Sequence, residues 1–222
     1  MVLLLHVIPA TSALMYILVM SHVARLSTAK LCGAAVVTQS RKLANFLQDQ
    51  SEDLLKTYIS KQGEGFPQTT SFCTATVEGF PEGNVSDMKP KEMLRSIYIT
   101  LRHLDGHFQT LRQQQLGLVS PPSDPLHKKL ADTHNRIQDL AGNIKCLLEE
   151  VPPEISITSS SSGRGIFWQK VFGCTVLRKY SEFLKQVVSG LSHVISKRSA
   201  TRGKGIKRIQ KKVLRLGVSS PL

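Results

Sequence analysis

Apolar residues recur at helical spacing in four stretches of the chain, and no stretch shows the sustained alternation of a strand. The first helix, α1, is predicted from about Val36 to Gln62. Leu43, Phe46, Leu47, Leu54, Leu55 and Tyr58 fall on its inward face, and Gly63 and Gly65 supply a stop. The second, α2, opens at Pro90, a residue favoured in the first helical turn. Its series Leu94, Ile97, Leu101, Leu104, Phe108 and Leu111 keeps three-four spacing to about Leu116. For α3, Asp124 is the cap and Pro125 the first helical residue. Leu126, Leu130, Ile137, Ile144 and Leu148 form its inward face, and Pro152 and Pro153 close it. The fourth, α4, is predicted from about Ile166 to Ser196, with Leu177, Leu184, Val187, Leu191 and Val194 inward.

The links between these helices constrain their directions. A helix of about 25 residues is roughly 38 Å long. The α2–α3 link of about eight residues, with Pro121 and Pro122, reaches only about 26 Å when extended, so α2 and α3 are antiparallel. The α1–α2 link of about 26 residues and the α3–α4 link of about 14 can each run the length of a bundle. Long helices joined by two long links fit an all-α, long-chain four-helix bundle with up-up-down-down connections.

That topology bears on the four cysteines, whose wide separation speaks against a zinc site. The start of α1 and the end of α3 share one end of the bundle, where Cys32 and Cys146 lie. The α1–α2 link begins at the other end, beside the first turns of α4, where Cys73 and Cys174 lie. Of the three possible connectivities, Cys32–Cys146 with Cys73–Cys174 needs no long reach; scrambled or unpaired cysteines are the alternative.

With 222 residues and 41% hydrophobic content the chain can form one domain with a proper core. Val2 to Met20 is almost wholly apolar, and Ser27-Thr28-Ala29 supplies a small-residue cleavage pattern before Lys30. Residues 1–29 therefore read as a secretory signal peptide, although no Lys or Arg precedes the apolar run and its length would also suit a signal anchor. The expected organisation is a signal peptide over 1–29, a helical domain over 30–196 and a basic tail over 197–222, with a secreted product. Disulfides suit that oxidising route. Asn84-Val85-Ser86 is a glycosylation acceptor sequence in a Pro- and Gly-rich stretch, although such triplets also arise by chance.

The net charge of +13 is uneven: Lys197 to Leu222 holds nine Lys or Arg and no acid, and +13 less nine leaves +4 for the rest. Within this tail Ile206, Ile209, Val213 and Leu216 interleave with the cations as an amphipathic basic helix. Heparan sulfate and membrane surfaces attract such a segment, and nucleic acid does so less readily outside the cell. The tail also contains the dibasic pairs Lys197-Arg198 and Lys207-Arg208. A rival function follows, a cationic host-defence protein that binds heparin or membranes through this tail; deletion of 197–222 separates the two. Enzyme chemistry finds little footing. His103 and His107 stand four apart on α2 with no third ligand at metal spacing, and no nucleophile elbow, phosphate loop or paired carboxylate accompanies them. No cofactor or metal is expected.

The densest motif opens α4: Phe167-Trp168-Gln169-Lys170-Val171-Phe172-Gly173-Cys174. Phe167 and Lys170 share one face of the first turn. Taken alone, Phe167 reads as the first core residue of an amphipathic helix. Left exposed, an aromatic ring beside a cation on a rigid helix end suits a protein-binding hot spot. Nothing in the flanking Ser and Gly residues suggests a cover for it.

The spacing Phe-x-x-Lys-x-x-Gly-Cys, followed by Leu177 and Tyr180, resembles the start of the last helix in the interleukin-6 family of cytokines, in the subgroup formed by leukemia inhibitory factor and oncostatin M. Leu54-Leu55-Lys56-Thr57-Tyr58-Ile59 through Gln62-Gly63 is similar to the end of that subgroup's first helix. Cys73 falls in the following link, and Gly142-Asn143-Ile144-Lys145-Cys146 is similar to the end of the third helix. The resemblance covers most of residues 30 to 196. Four cysteines and a basic extension look more like oncostatin M than leukemia inhibitory factor, and that likeness suggests that the dibasic tail is a removable extension. The resemblance implies that Phe167 and Lys170 form the epitope for the leukemia inhibitory factor receptor or the oncostatin M receptor. It also implies that the α1 and α3 faces, with Asn143, bind the shared glycoprotein 130. Phe46, where oncostatin M has Gln, and Asp139, where it has Gly, depart from the pattern of that second epitope. Trp168, where the relatives carry Gln, either adds area to the first epitope or packs inward.

Overall fold

The computed structural model describes residues 32–119, 121–153 and 165–215, with side chains to 196. The predicted leader over 1–29 and the end of the tail at 216–222 lie outside them. Four helices form, α1 over Ala34–Ser60, α2 over Pro90–Leu118, α3 over Pro125–Leu147 and α4 over Ile166–Arg215, and no strand occurs among the described residues. Local chemistry sets their ends. Gly63, at φ +87°, supplies the left-handed turn just past α1. The Asp124 carboxylate accepts the Leu126 N–H at 2.9 Å and caps α3, while Lys61, just past α1, contacts it at 2.7 Å. That ammonium, more than the cap bond, holds the Asp124 carboxyl below its usual range.

The contacts fix helix directions. Lys61 at the end of α1 meets Asp124 at the start of α3, and Lys91 in the first turn of α2 meets Glu149 just beyond α3. Both pairs are antiparallel. Ser51 bonds Ser181 at 2.8 Å, Glu52 meets Lys185 at 3.5 Å and Tyr58 meets Lys170, so α4 is antiparallel to α1. Gly173 faces Leu111 and Gly190 faces Met93, so α4 is antiparallel to α2 as well. The bundle is therefore up-up-down-down. Cys32 is bonded to Cys146 at one end and Cys73 to Cys174 at the other, the pairing that the topology favours. Each closes a loop of about 100 residues, a restraint of about 2–4 kcal/mol through the unfolded chain.

The core is one continuous cluster. Ile97, Leu101, Leu104, Phe108 and Leu111 of α2 are fully buried against Leu126, Leu130 and Ile137 of α3 and Leu177, Tyr180 and Leu184 of α4. Burying each Leu contributes about 1.5–3 kcal/mol. The α1–α2 link straps α2 to α4. The Ala75 N–H donates to Thr175 Oγ1 at 3.1 Å, the Val85 N–H to Gln186 Oε1 at 3.1 Å, and His107 Nε2 bonds the Glu78 carbonyl at 3.0 Å.

Two expectations need correction. Phe46 does not join the core: it is 38% exposed, and the Arg136 guanidinium of α3 lies 4.4 Å from its ring centre. The helical period places it near the inward face, but its ring falls on the seam between α1 and α3, where a cation covers it more readily than the bundle interior. Nor does α4 end at Ser196. Inward residues stop near Val194 because α2 has begun by then, yet no proline interrupts the next twenty residues and the helix continues to Arg215. From Gly190, which faces Met93, to Arg215 is about 38 Å of helix, so α4 overruns the bundle.

Candidate binding surfaces

The start of α4 stands proud of the core. Ile166 is 60% exposed, Phe167 48% and Trp168 52%, so Trp168 faces outward rather than packing in. The Phe167 ring is not free-standing. Its centre lies 6.2 Å from that of Phe66, which is itself buried, and 6.1 Å from that of Trp168, met edge-on at 76°. Such spacings are those of interacting aromatic pairs. Phe66 went unrecognised in the sequence because its contact is made across the bundle end. The signal available was the predicted Cys73–Cys174 link, which brings the segment after α1 to the first turns of α4.

Lys170, one turn on, is half-buried. Its Nζ donates to the Gln62 carbonyl, just past the end of α1, and its own carbonyl accepts the Tyr58 hydroxyl at 3.2 Å. Tyr58 is fully buried, which pushes its phenol far above the usual range and keeps it a neutral donor. Gln115 Nε2 of α2 donates to the same hydroxyl at 3.4 Å, and Gln62 Nε2 donates to Gln115 Oε1 at 2.9 Å. Gly173 leaves the space that Tyr58 fills: a Cβ there would sit 2.1 Å from the hydroxyl oxygen and 2.5 Å from Leu111 Cδ2. Cys174 then ties the helix to Cys73.

A second surface lies on the flank of α1 and α3. Asn143 is half-buried there, lining an open groove of ≈ 730 Å³ with Gln39, Lys42 and Leu43 of α1 and Gln138 and Asp139 of α3. Phe46 and Arg136 project from the same two helices. This flank is far from the aromatic end in the chain but shares α1 with it.

The remaining candidates are placed as follows. Asn84 is exposed and caps a short 3-10 turn over Val85–Asp87; its Oδ1 accepts from the Ser86 N–H and hydroxyl at 3.0 and 2.9 Å. His107 is committed to the Glu78 carbonyl and stacks on Phe80, with ring centres 6.5 Å apart, and burial lowers its pKa and that of His103. Among the described residues no cluster of three or more His, Cys, Asp or Glu side chains has metal-binding geometry. No helix among them is long and apolar enough to cross a membrane.

A sequence model described as the LIF / OSM family matches residues 35–191, which takes in all four helices of the bundle. The chain is 24% identical to cardiotrophin-1 of Rattus norvegicus over 176 residues, covering 72% of this chain and 86% of that protein. It is 26% identical to cardiotrophin-2 of Pan troglodytes, covering 78% and 91%, and 25% identical to cardiotrophin-1 of Homo sapiens, covering 75% and 88%.

Proposed function

This chain belongs to the LIF / OSM family of cytokines, and from that premise we propose that it is secreted and signals by bringing two different receptor chains together. It acts by binding and is not an enzyme. Glycoprotein 130 docks on the α1 and α3 flank around Asn143, and a receptor of the leukemia inhibitory factor or oncostatin M type docks at the start of α4 on Phe167 and Trp168, in the turn that Lys170 anchors. The observation that carries this reading is the exposed Phe167–Trp168 pair, held on a helix end that Phe66, Lys170 and the Cys73–Cys174 bond fix in place. Rigid aromatic area at low entropic cost is what interface hot spots are made of.

Asn84, exposed on its turn, carries a glycan in this reading. The basic run from Lys197, nine cations without an acid, retains the cytokine on heparan sulfate or is trimmed away after secretion. The test of the central assignment is Phe167→Ala combined with Lys170→Ala. Signalling is abolished while glycoprotein 130 binding and the folded state persist; unchanged signalling would refute the site.

A further inference from the structure

Four side chains and two carbonyls at the head of the bundle close a ring of hydrogen bonds. Lys170 Nζ donates to the Gln62 carbonyl, Gln62 Nε2 to Gln115 Oε1, Gln115 Nε2 to the Tyr58 hydroxyl, and that hydroxyl returns to the Lys170 carbonyl. The ring joins α2, α4 and the end of α1 with the residue just beyond it. Tyr58 and Gln115 are fully buried and Gln62 is 2% exposed, so these bonds form away from water, where an unmade partner is costly. Gln62 Nε2 also reaches the Tyr58 carbonyl at 3.0 Å, which leaves Gln62 Oε1 as the buried atom without a partner. A core meant only for stability would fill this space with leucines. A closed ring of buried polar bonds instead specifies one arrangement of the elements it joins.

We propose that this ring is a clasp that sets the direction of the first turn of α4, and that Lys170 acts chiefly through it as a positioning residue for Phe167 rather than as a receptor contact. The inference rests on the site assigned above and assigns its parts different tasks. Phe167 and Trp168 present area, while Tyr58, Gln62, Gln115 and Lys170 aim it. The Lys170 ammonium already donates inside the molecule, to the Gln62 carbonyl just past the end of α1. Removing the Tyr58 hydroxyl breaks the ring at a point with no surface at all, so its effect on binding can only be indirect.

The test uses the secreted protein with both disulfides, in the variants Tyr58→Phe, Lys170→Met, Phe167→Ala and Tyr58→Phe with Phe167→Ala. Amide hydrogen exchange over residues 166–172 is read in the free protein. Affinities are read for the ectodomains of glycoprotein 130 and the leukemia inhibitory factor receptor. Tyr58→Phe and Lys170→Met each speed exchange at the helix start and weaken the second receptor by about tenfold, leaving glycoprotein 130 unaffected. In the Phe167→Ala background Tyr58→Phe weakens the second receptor by less than about twofold, because the residue it aims is gone. Equal losses in both backgrounds would overturn the clasp, as would a loss of binding in Lys170→Met with exchange unchanged, which would make Lys170 a contact. If Phe167→Ala itself binds the second receptor normally, the site assignment fails, and the exchange rates still decide whether the clasp exists.

Discussion

Gly173→Ala is the most demanding single test of the packing at the head of the bundle. On an ordinary helix the change helps, since alanine is favoured over glycine by about 1 kcal/mol. Here the added methyl would lie 2.1 Å from the Tyr58 hydroxyl oxygen, 2.6 Å from its Cζ and 2.5 Å from Leu111 Cδ2. None of these can yield cheaply. Tyr58 is a flat ring with no exposed surface, its hydroxyl is bonded on two sides, and Leu111 is fully buried. Overpacking of this kind costs about 1–3 kcal/mol. Displacing the hydroxyl forfeits a further ~1 kcal/mol or more of buried hydrogen bonding. Against the propensity gain, the net loss is about 1–3 kcal/mol, and at 2–4 °C per kcal/mol a midpoint loss of about 2 kcal/mol lowers Tm by roughly 4–8 °C. The assay is thermal unfolding with disulfides intact, with Gly142→Ala on α3 as the control. Its Cβ meets nothing within 4 Å, so there the propensity gain stands alone. A Gly173→Ala protein as stable as Gly142→Ala would refute the packing argument.

Acid should loosen the strap over α2 and α4. Burial holds the His107 pKa below its usual value, outweighing the opposing pull of Glu78, with His103 adding to the depression. The neutral form is therefore the folded form: its contribution is complete above about pH 6.5 and is lost as pH falls below that. Urea unfolding at pH 7 and pH 5 should show a smaller acid loss for His107→Gln, which keeps a donor for the Glu78 carbonyl but does not titrate; equal losses would remove His107 as the cause. Deleting residues 197–222 should leave both receptor affinities unchanged and abolish retention on a heparin column at moderate salt, because nine cations leave with the tail. A truncated protein that binds heparin as before would move that affinity to the bundle.

The bundle was legible because its signals are local or additive. Apolar spacing marked α2 residue by residue, Asp124-Pro125 marked a helix start, and link lengths set α2 against α3 and allowed the two long connections whose topology favours the cysteine pairs. What escaped depends on contacts between elements. Phe46 has the right period for a core residue, and only the position of Arg136 on the neighbouring helix shows that its ring is covered from outside. Gln62 and Gln115 are polar residues near helix ends, where the hydrophobic pattern predicts nothing, yet both are buried. The true length of α4 was hidden for a related reason: periodicity reports burial, and a helix that leaves the bundle keeps its backbone bonds after it has nothing to bury against.

The same contacts explain the spacing of the α4 motif itself. Phe167, Lys170 and Gly173 are three apart, and they meet Phe66, Gln62 and Tyr58, which are four apart and taken in reverse order. Only Tyr58 lies within α1, and Gln62 and Phe66 follow its end, so the reversed order reflects a chain that here runs antiparallel to α4. Each pair uses a different chemistry: ring on ring, ammonium on carbonyl, and a missing Cβ beneath a phenol. Cys174, adjacent to the third pair, adds the covalent closure to Cys73. The motif is thus complete as an intramolecular match before any partner arrives. Of its members, Phe167 combines a contact on each side, Phe66 below and Trp168 beside it, with half of its surface still open. A residue held by the fold and left uncovered by it is the one whose remaining surface is available to a partner at little further entropic cost. In the function proposed above the partner-facing role falls to Phe167 and Trp168, and the rest of the motif holds them in place.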